Sequence, residues 1–274
     1  MTDRSGLRLM VIGAHPDDAD QFASGTAAKF AKAGARVRFV STCNGDKGHH
    51  RMSSAELAAR RRGETTKAAE TLGVESYEVW DVPDCEIEPT LELRRRMTRL
   101  VREFAPHFIF THRTCDYHAD HRACSQLVQD MTYMLGVPLW CPETPIPAVK
   151  PAVFFMTDDF DFPRVLRPDV VVGVDGEMDR VCDAFACHVS QAFEWLPFDM
   201  EIAPGDVPDP SDREGVRAFV EKWYVPCKTT DAARFADRVR EWHGDAPPRH
   251  VEVFEMSRYG RQLSEAELRD VFLF

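Results

Sequence analysis

Two short polar clusters hold the residues whose types and spacing suit catalysis, Gly13-Ala14-His15-Pro16-Asp17-Asp18-Ala19-Asp20 and His112-Arg113-Thr114-Cys115-Asp116-Tyr117-His118-Ala119-Asp120-His121-Arg122. His15 and Asp18 lie three apart across a proline-stiffened turn, which aims an imidazole and a carboxylate at one point, and His121 reaches the same point from the second cluster. Such a His₂Asp set leaves a fourth position open for water, as catalytic rather than structural zinc does. The same donors suit non-haem Fe²⁺, so these ligands leave the metal open between Zn²⁺ and Fe²⁺. Asp17 follows Pro16, points away from the metal by alternation along the turn, and is free to act as a base. A metal-bound water has its pKa lowered to about 7, and a carboxylate within hydrogen-bond reach takes its proton as it attacks a carbonyl carbon. His118 supplies a donor for the resulting oxyanion or a proton for the leaving amine, and Asp120 holds that imidazole in its protonated tautomer.

Elements that can position these clusters are visible in the flanking patterns. Apolar, β-branched runs at Leu7 to Gly13, Arg36 to Cys43, Ser76 to Trp80 and Phe108 to His112 read as short buried strands. Helical patterns lie between them: Phe22 to Lys32, Ser53 (a capping box with Glu56) to Leu72-Gly73, Leu91 to Phe104, and an apolar stripe following His121. Strands alternating with helices predict an α/β fold, a Rossmann-like, mostly parallel sheet with helices on both faces. In such sheets ligands bind beyond the carboxyl ends of the strands, which is where both clusters fall. The first turn carries no G-x-G-x-x-G, and its carboxylates would repel a pyrophosphate; it is built for a cation.

The second half changes character after a proline-rich stretch from Pro138 to Pro151. Ala152 to Met156 and Asp169 to Val174 read as strands and Glu177 to Cys187 as a helix, followed by an irregular Pro197 to Asp212. Helices over Asp212 to Trp223 and Asp231 to His243, a strand at Val251 to Met256 and a short terminal helix complete a C-terminal α/β extension. The expectation is one domain over 1–274, with residues 1–136 as the half carrying the metal site and 137–274 as cleft-lining loops and extension.

Composition narrows the partners. With 34 Lys+Arg against 45 Asp+Glu, a net charge of −11 works against binding nucleic acid or an anionic membrane. No stretch is long enough to span a bilayer and no signal-peptide pattern follows Met1, so the expectation is a cytoplasmic protein without membrane insertion. The eight cysteines contain no C-x-x-C pair and read as reduced thiols. The partner expected is a small molecule, and a homo-oligomer stays open.

At Ala14-His15-Pro16-Asp17-Asp18 and Asp116-Tyr117-His118-Ala119-Asp120-His121 the chain resembles the LmbE-like (PIG-L) family of zinc-dependent N-deacetylases. Similarities in support are Gly25-Thr26, Asn44-Gly45-Asp46, the Arg61, Glu64 and Leu72-Gly73 spacing, and His188-Val189-Ser190-Gln191. The resemblance implies a Rossmann-like fold, zinc on His15, Asp18 and His121, Asp17 as general base, His118 as acid and oxyanion donor, and Asp120 as its orienting carboxylate. It also implies that Arg61 touches substrate, although Arg60-Arg61-Arg62 reads equally as a solvated helix face. The implied substrates are N-acetylated amino sugars of the N-acetylglucosamine type and their conjugates. The chain departs from the family in carrying Asp20 where a glutamate is usual, Ser24 in the Gly-Gly-Thr position, and Cys85 after Pro83-Asp84 where glycine is common. No role is assigned to His49, His50, His112 or His188. The leading expectation is a zinc-dependent hydrolase that removes an N-acetyl group. The alternatives are hydrolysis of another amide such as that of a thiol conjugate, a non-haem iron oxygenase expected to be β-barrel-like, and a silent sugar-binding protein.

Overall fold

The central strand shows why the sheet forms. In β1 (Arg8–Gly13), Leu9, Met10, Val11 and Ile12 are all fully buried. A run buried on both faces belongs in the middle of a parallel sheet covered on both sides. The computed structural model describes residues 3–274 and places this strand among six others: β2 (Arg36–Ser41), β3 (Ser76–Val79), β4 (Phe108–Thr111), β5 (Ala152–Met156), β6 (Val170–Gly173) and β7 (Val251–Gly260). Their order is β3-β2-β1-β4-β5-β7-β6, so one mixed sheet runs through both halves of the chain. β1 to β5 are parallel, and β7 is antiparallel to both of its neighbours.

Ten α-helices among the described residues flank the sheet: α1 (Asp18–Lys32), α2 (Ser54–Leu72), α3 (Leu91–Phe104), α4 (Ala119–Met134), α5 (Met178–Ala186), α6 (Leu196–Asp199), α7 (Arg213–Trp223), α8 (Cys227–Arg234), α9 (Ala236–His243) and α10 (Glu265–Phe272). They build two cores. One packs α1, α2, α5 and the C-terminal helices on one face, and the other packs α3 and α4 on the opposite face. No helix among the described residues is long and apolar enough to cross a membrane.

The Rossmann-like expectation of a mostly parallel sheet with helices on both faces holds, and the C-terminal segment enters the sheet itself. β7 inserts between β5 and β6 and is longer than the Val251 to Met256 run suggests. α1 starts at Asp18 rather than near Phe22, because Asp17 occupies the N-cap position and Asp18 opens the first turn. The Asp231 to His243 pattern is two helices broken at Phe235, whose backbone (φ −111°, ψ 31°) leaves the helical region. Pro197 to Asp212 is not wholly irregular: a π-helical turn over Ser190–Trp195 leads into α6, and a 3₁₀ turn spans Pro204–Asp206.

The strand order reverses between β1 and β4, which pair in parallel with Ile12 opposite Thr111. The turns that leave these two strands therefore start side by side at the topological switch point, where open α/β sheets bind ligands.

Candidate metal centre and active site

Asp18 is the pivot of the β1–α1 turn. Its Oδ2 accepts the Ala14 and His15 backbone N–H groups at 2.8 and 2.7 Å and faces His112 Nε2 at 3.0 Å. These contacts leave Oδ1 turned to His121 Nε2 at 3.4 Å. A tight turn is required: a Cβ on Gly13 would meet Asp18 Cβ at 2.6 Å, so a side chain there would push the carboxylate away. His15 Nδ1 lies 3.6 Å from Asp18 Oδ2 and 3.1 Å from His121 Nε2. The structure thus brings the three expected ligands His15, Asp18 and His121 to one point.

Behind the two imidazoles stand carboxylates. His15 Nε2 faces Asp84 at 3.3 Å and Asp120 at 3.5 Å, and His121 Nδ1 faces Asp116 at 3.0 Å. A carboxylate fixes the proton on the nitrogen it faces, as it does for histidines that bind metals. The nitrogens left over, His15 Nδ1 and His121 Nε2, then point lone pairs at each other and at Asp18. With those tautomers three acceptors converge on one point, which a cation satisfies, a proton when no metal is bound, and the donor set fits zinc or ferrous iron. Neither carboxylate-facing nitrogen has an aligned hydrogen bond in this arrangement.

The charges agree. Burial opposes a charged His121, but Asp18 and Asp116 outweigh it and raise the imidazole to about 9. Burial likewise opposes charge on His15, yet Asp120, Asp18 and Asp84 hold it well above the usual histidine range. Asp18, although buried, is held well below the usual carboxylate range by His121 and His112. Asp84 and Asp116 are also depressed against burial, by His15 and His121 respectively. The pocket concentrates negative charge around a place for positive charge.

Asp17 stands apart from this cluster. Its Oδ2 accepts from Arg61 Nη2 at 2.9 Å, and both residues line the same cavity as the three candidate ligands. The Arg61 side chain is 2 % exposed, and its Nη1 donates to Gly45 O. Gly45 has φ 65°, and a Cβ there would sit 2.2 Å from Arg61 Nη1, which explains glycine in Asn44-Gly45-Asp46. Arg61 is therefore buried against Asp17, neither on a solvated helix face nor held out to solvent.

His118 meets the His15 ring edge-on with centroids 4.6 Å apart. Its Nδ1 accepts the Asp120 backbone N–H at 3.1 Å as the N-cap of α4, so the proton of the neutral ring is on Nε2. Burial, His15 and His121 all lower its pKa, which favours that neutral form. The Asp120 carboxylate does not meet His118 Nδ1. It accepts the backbone N–H groups of Cys85 and Ile87 at 2.7 and 3.3 Å and faces His15. The imidazole expected to be oriented by that side chain is oriented by the same residue's backbone, because a residue two positions on at a helix N-terminus presents its N–H there.

Sequence reasoning left out Asp84, Asp116 and His112. Asp116 opens the second motif and Asp84 sits at the Pro83-Asp84-Cys85 departure, so a signal existed for both. His112 stacks on His121 at 3.9 Å and is buried, with burial lowering its pKa. The shorter Asp20 does find a partner: it faces the fully buried His188 at 2.9 Å and ties α1 to the chain after α5. His49 pairs with Glu194 and stacks on His50, outside the metal cluster.

The cavity has a volume of about 610 Å³, within the range of small-molecule sites. Its wall beyond the charged end comes from late in the chain and includes Trp195, Leu196, Met200 and Trp223.

A fold with a His/Asp centre at its switch point defines a class, and residues 10–132 match the family described as PIG-L, GlcNAc-PI de-N-acetylase. Over those residues the chain is similar to the PIG-L (LmbE-like) family. Among curated relatives, the diacetylchitobiose deacetylase of Thermococcus kodakarensis is 26% identical over 72% of this chain and 76% of its own. The 1D-myo-inositol 2-acetamido-2-deoxy-alpha-D-glucopyranoside deacetylase 2 of Saccharopolyspora erythraea is 28% identical over 61% of this chain and 70% of its own. The solved N,N'-diacetylchitobiose deacetylase of Pyrococcus horikoshii superposes with a TM-score of 0.70 at 22% identity, covering 91% of this chain and 83% of that one. GalB of Pseudomonas putida, a 4-carboxy-2-hydroxymuconate hydratase, superposes with 0.71 at 20% identity, covering 94% and 100%. The fold therefore houses more than one chemistry, and the site has to decide the reaction.

Proposed function

We propose that the protein is a metal-dependent N-deacetylase that hydrolyses the acetamide of an amino sugar or its conjugate, giving acetate and a free amine. The observation that carries this reading is the separation of roles inside one cavity: donor atoms of His15, Asp18 and His121 within 3.6 Å of one another, a carboxylate outside that group, and a neutral imidazole at its edge. An oxygenase reading gives no job to a base beside the cation site, and the helix-flanked sheet is not the barrel expected of it; a hydratase would use the same three parts, and the relatives favour amide hydrolysis over it. The curated relatives support the substrate class, since both are deacetylases of acetylated amino sugars by name.

His15, Asp18 and His121 would hold the metal, with zinc favoured over Fe²⁺ by family resemblance. When bound, the metal supplies an activated water and polarises the acyl oxygen. Asp17 accepts the proton of the attacking water. Arg61 is a positioning residue that keeps the Asp17 carboxylate turned into the cavity. His118 Nε2–H donates to the oxyanion and then to the amine nitrogen as the C–N bond breaks. Asp84, Asp116 and Asp120 orient the ligand histidines, and the Asp120 N–H orients His118.

The test is release of primary amine and acetate from a panel of N-acetyl amino sugars, glycosyl inositols, thiol glycosides and chitin oligomers, with and without a chelator. Release from an acetamido sugar that a chelator abolishes and Zn²⁺ restores is the expected result. Silence from metal-loaded protein across the panel would sink the reading.

A further inference from the structure

The cavity is larger and more apolar than an acetamido sugar needs. Beyond the metal end, its wall holds Trp195 and Leu196 from the π-helical turn and α6, Met200 just after them, and Trp223 from the end of α7. At the mouth Tyr117 is 71% exposed and Met200 41%, both lining the cavity. Exposed large apolar side chains gathered at a binding mouth mark a place where apolar ligand surface is covered.

Charge in the same cavity points the same way. Two cationic side chains, Lys47 and Arg61, are among its lining residues, against the carboxylates of Asp17, Asp18, Asp84, Asp116, Asp158 and Asp159. Both cations are committed. Arg61 is paired with Asp17, while Lys47 donates to Asp84 O and pairs with Glu86 at 2.9 Å. Neither Lys47 nor Arg61 is free to meet a phosphate or carboxylate, and although Asp17 and Asp158 are paired with Arg61 and Arg113, the remaining carboxylates keep the wall unfavourable to an anion.

We propose that the substrate is a neutral amino-sugar derivative carrying an apolar group, which Trp195, Leu196, Met200 and Trp223 cover, and that phosphate-linked and nucleotide-linked sugars are rejected. This rests on the deacetylase reading and deepens it. The apolar group has two possible sources, an N-acyl chain longer than acetyl or an apolar aglycone, and both present the same surface to these side chains.

The experiment compares four ligands on the metal-loaded enzyme: N-acetylglucosamine, its benzyl glycoside, N-hexanoylglucosamine, and N-acetylglucosamine 1-phosphate. Amine release gives kcat/KM, and quenching of tryptophan fluorescence gives binding without turnover, since Trp195 and Trp223 line the cavity. Burying a phenyl-sized group predicts a gain of about 10–100-fold in kcat/KM for one of the two apolar derivatives over the free sugar. Which of them gains identifies the source. The 1-phosphate is expected to react more slowly than the free sugar. Trp223→Ala should collapse the apolar preference through KM rather than kcat, with metal content unaltered. Equal kcat/KM and equal binding for the free sugar and both apolar derivatives, or preference for the phosphate, overturns the proposal. Tight binding of an apolar derivative with no release of amine would fault the deacetylase reading and leave the apolar site standing.

Discussion

The two ends of the cavity are built on opposite plans. At the metal end, side chains from the turns after β1 and β4 are held by polar contacts, several to each residue: Asp18 by two backbone N–H groups and two imidazoles, Asp120 by two N–H groups and His15. At the other end, Trp195, Leu196, Met200 and Trp223 arrive from segments far along the chain, and packing positions them. Directional bonds fix donor atoms to fractions of an ångström, as chemistry on a cation requires. Apolar contacts fix shape and leave a surface that can take substrates of different outline. The comparison teaches that substitutions at the first end should act on metal and turnover, and those at the second on recognition and stability.

The largest expected effect would break the metal end outright. His15→Ala should lose both bound metal and turnover, measured by metal analysis of the purified protein alongside amine release. Asp17→Asn sharpens the division of roles inside that end: metal content should be unchanged while kcat falls by about 10²–10⁴-fold. Loss of metal from Asp17→Asn would place it among the ligands instead. A milder change is expected from Asp116→Asn, which keeps shape but weakens the hold on His121 Nδ1. Metal affinity should fall by about 10–100-fold in a competition titration with a chelating dye, and unchanged affinity would show that the Asp116 contact is incidental.

The smallest effect lies behind the other end. Asp231, in α8, is buried and its carboxyl is pushed up to about 6 by burial, with Arg234 3.8 Å away only partly offsetting it. A carboxyl raised in the folded state prefers to be neutral there, so its destabilisation is absent below the unfolded pKa near 4, grows as pH rises, and is complete above about 6. Asp231→Asn should therefore raise the melting temperature at pH 8, by a gain of about 2–3 kcal/mol at most, and change it little at pH 4. An equal gain at both pH values would mean that packing rather than charge is responsible. Turnover should stay with the wild type, since the substitution is remote from the metal end.

Much of the clustering at the proposed metal end was legible because its determinants are local. His15, Asp17 and Asp18 share one turn, His118 and His121 share another, and the alternation of strands and helices places both turns at carboxyl ends of a parallel sheet. Orientation was less legible. Asp120 is two residues from His118 and reads as its partner, yet helix geometry gives that task to the Asp120 N–H and frees the carboxylate for Cys85, Ile87 and His15. Arg61 carried no sign of its burial against Asp17, since its neighbours Arg60 and Arg62 suggest an exposed face; the approach of the Gly45 loop settles its position.

By itself the sequence determined the fold class, the strands and helices of the first half, and the residue types that meet at the proposed cation site, because those depend on short-range periodicity and on spacing within a turn. Tertiary structure alone decided that β7 inserts antiparallel between β5 and β6, that Asp84 and Asp116 back the two histidines, and that tryptophans 28 residues apart line one wall. Each of these joins residues distant along the chain, and such contacts are selected by how the whole core packs rather than by any local preference of the residues that make them.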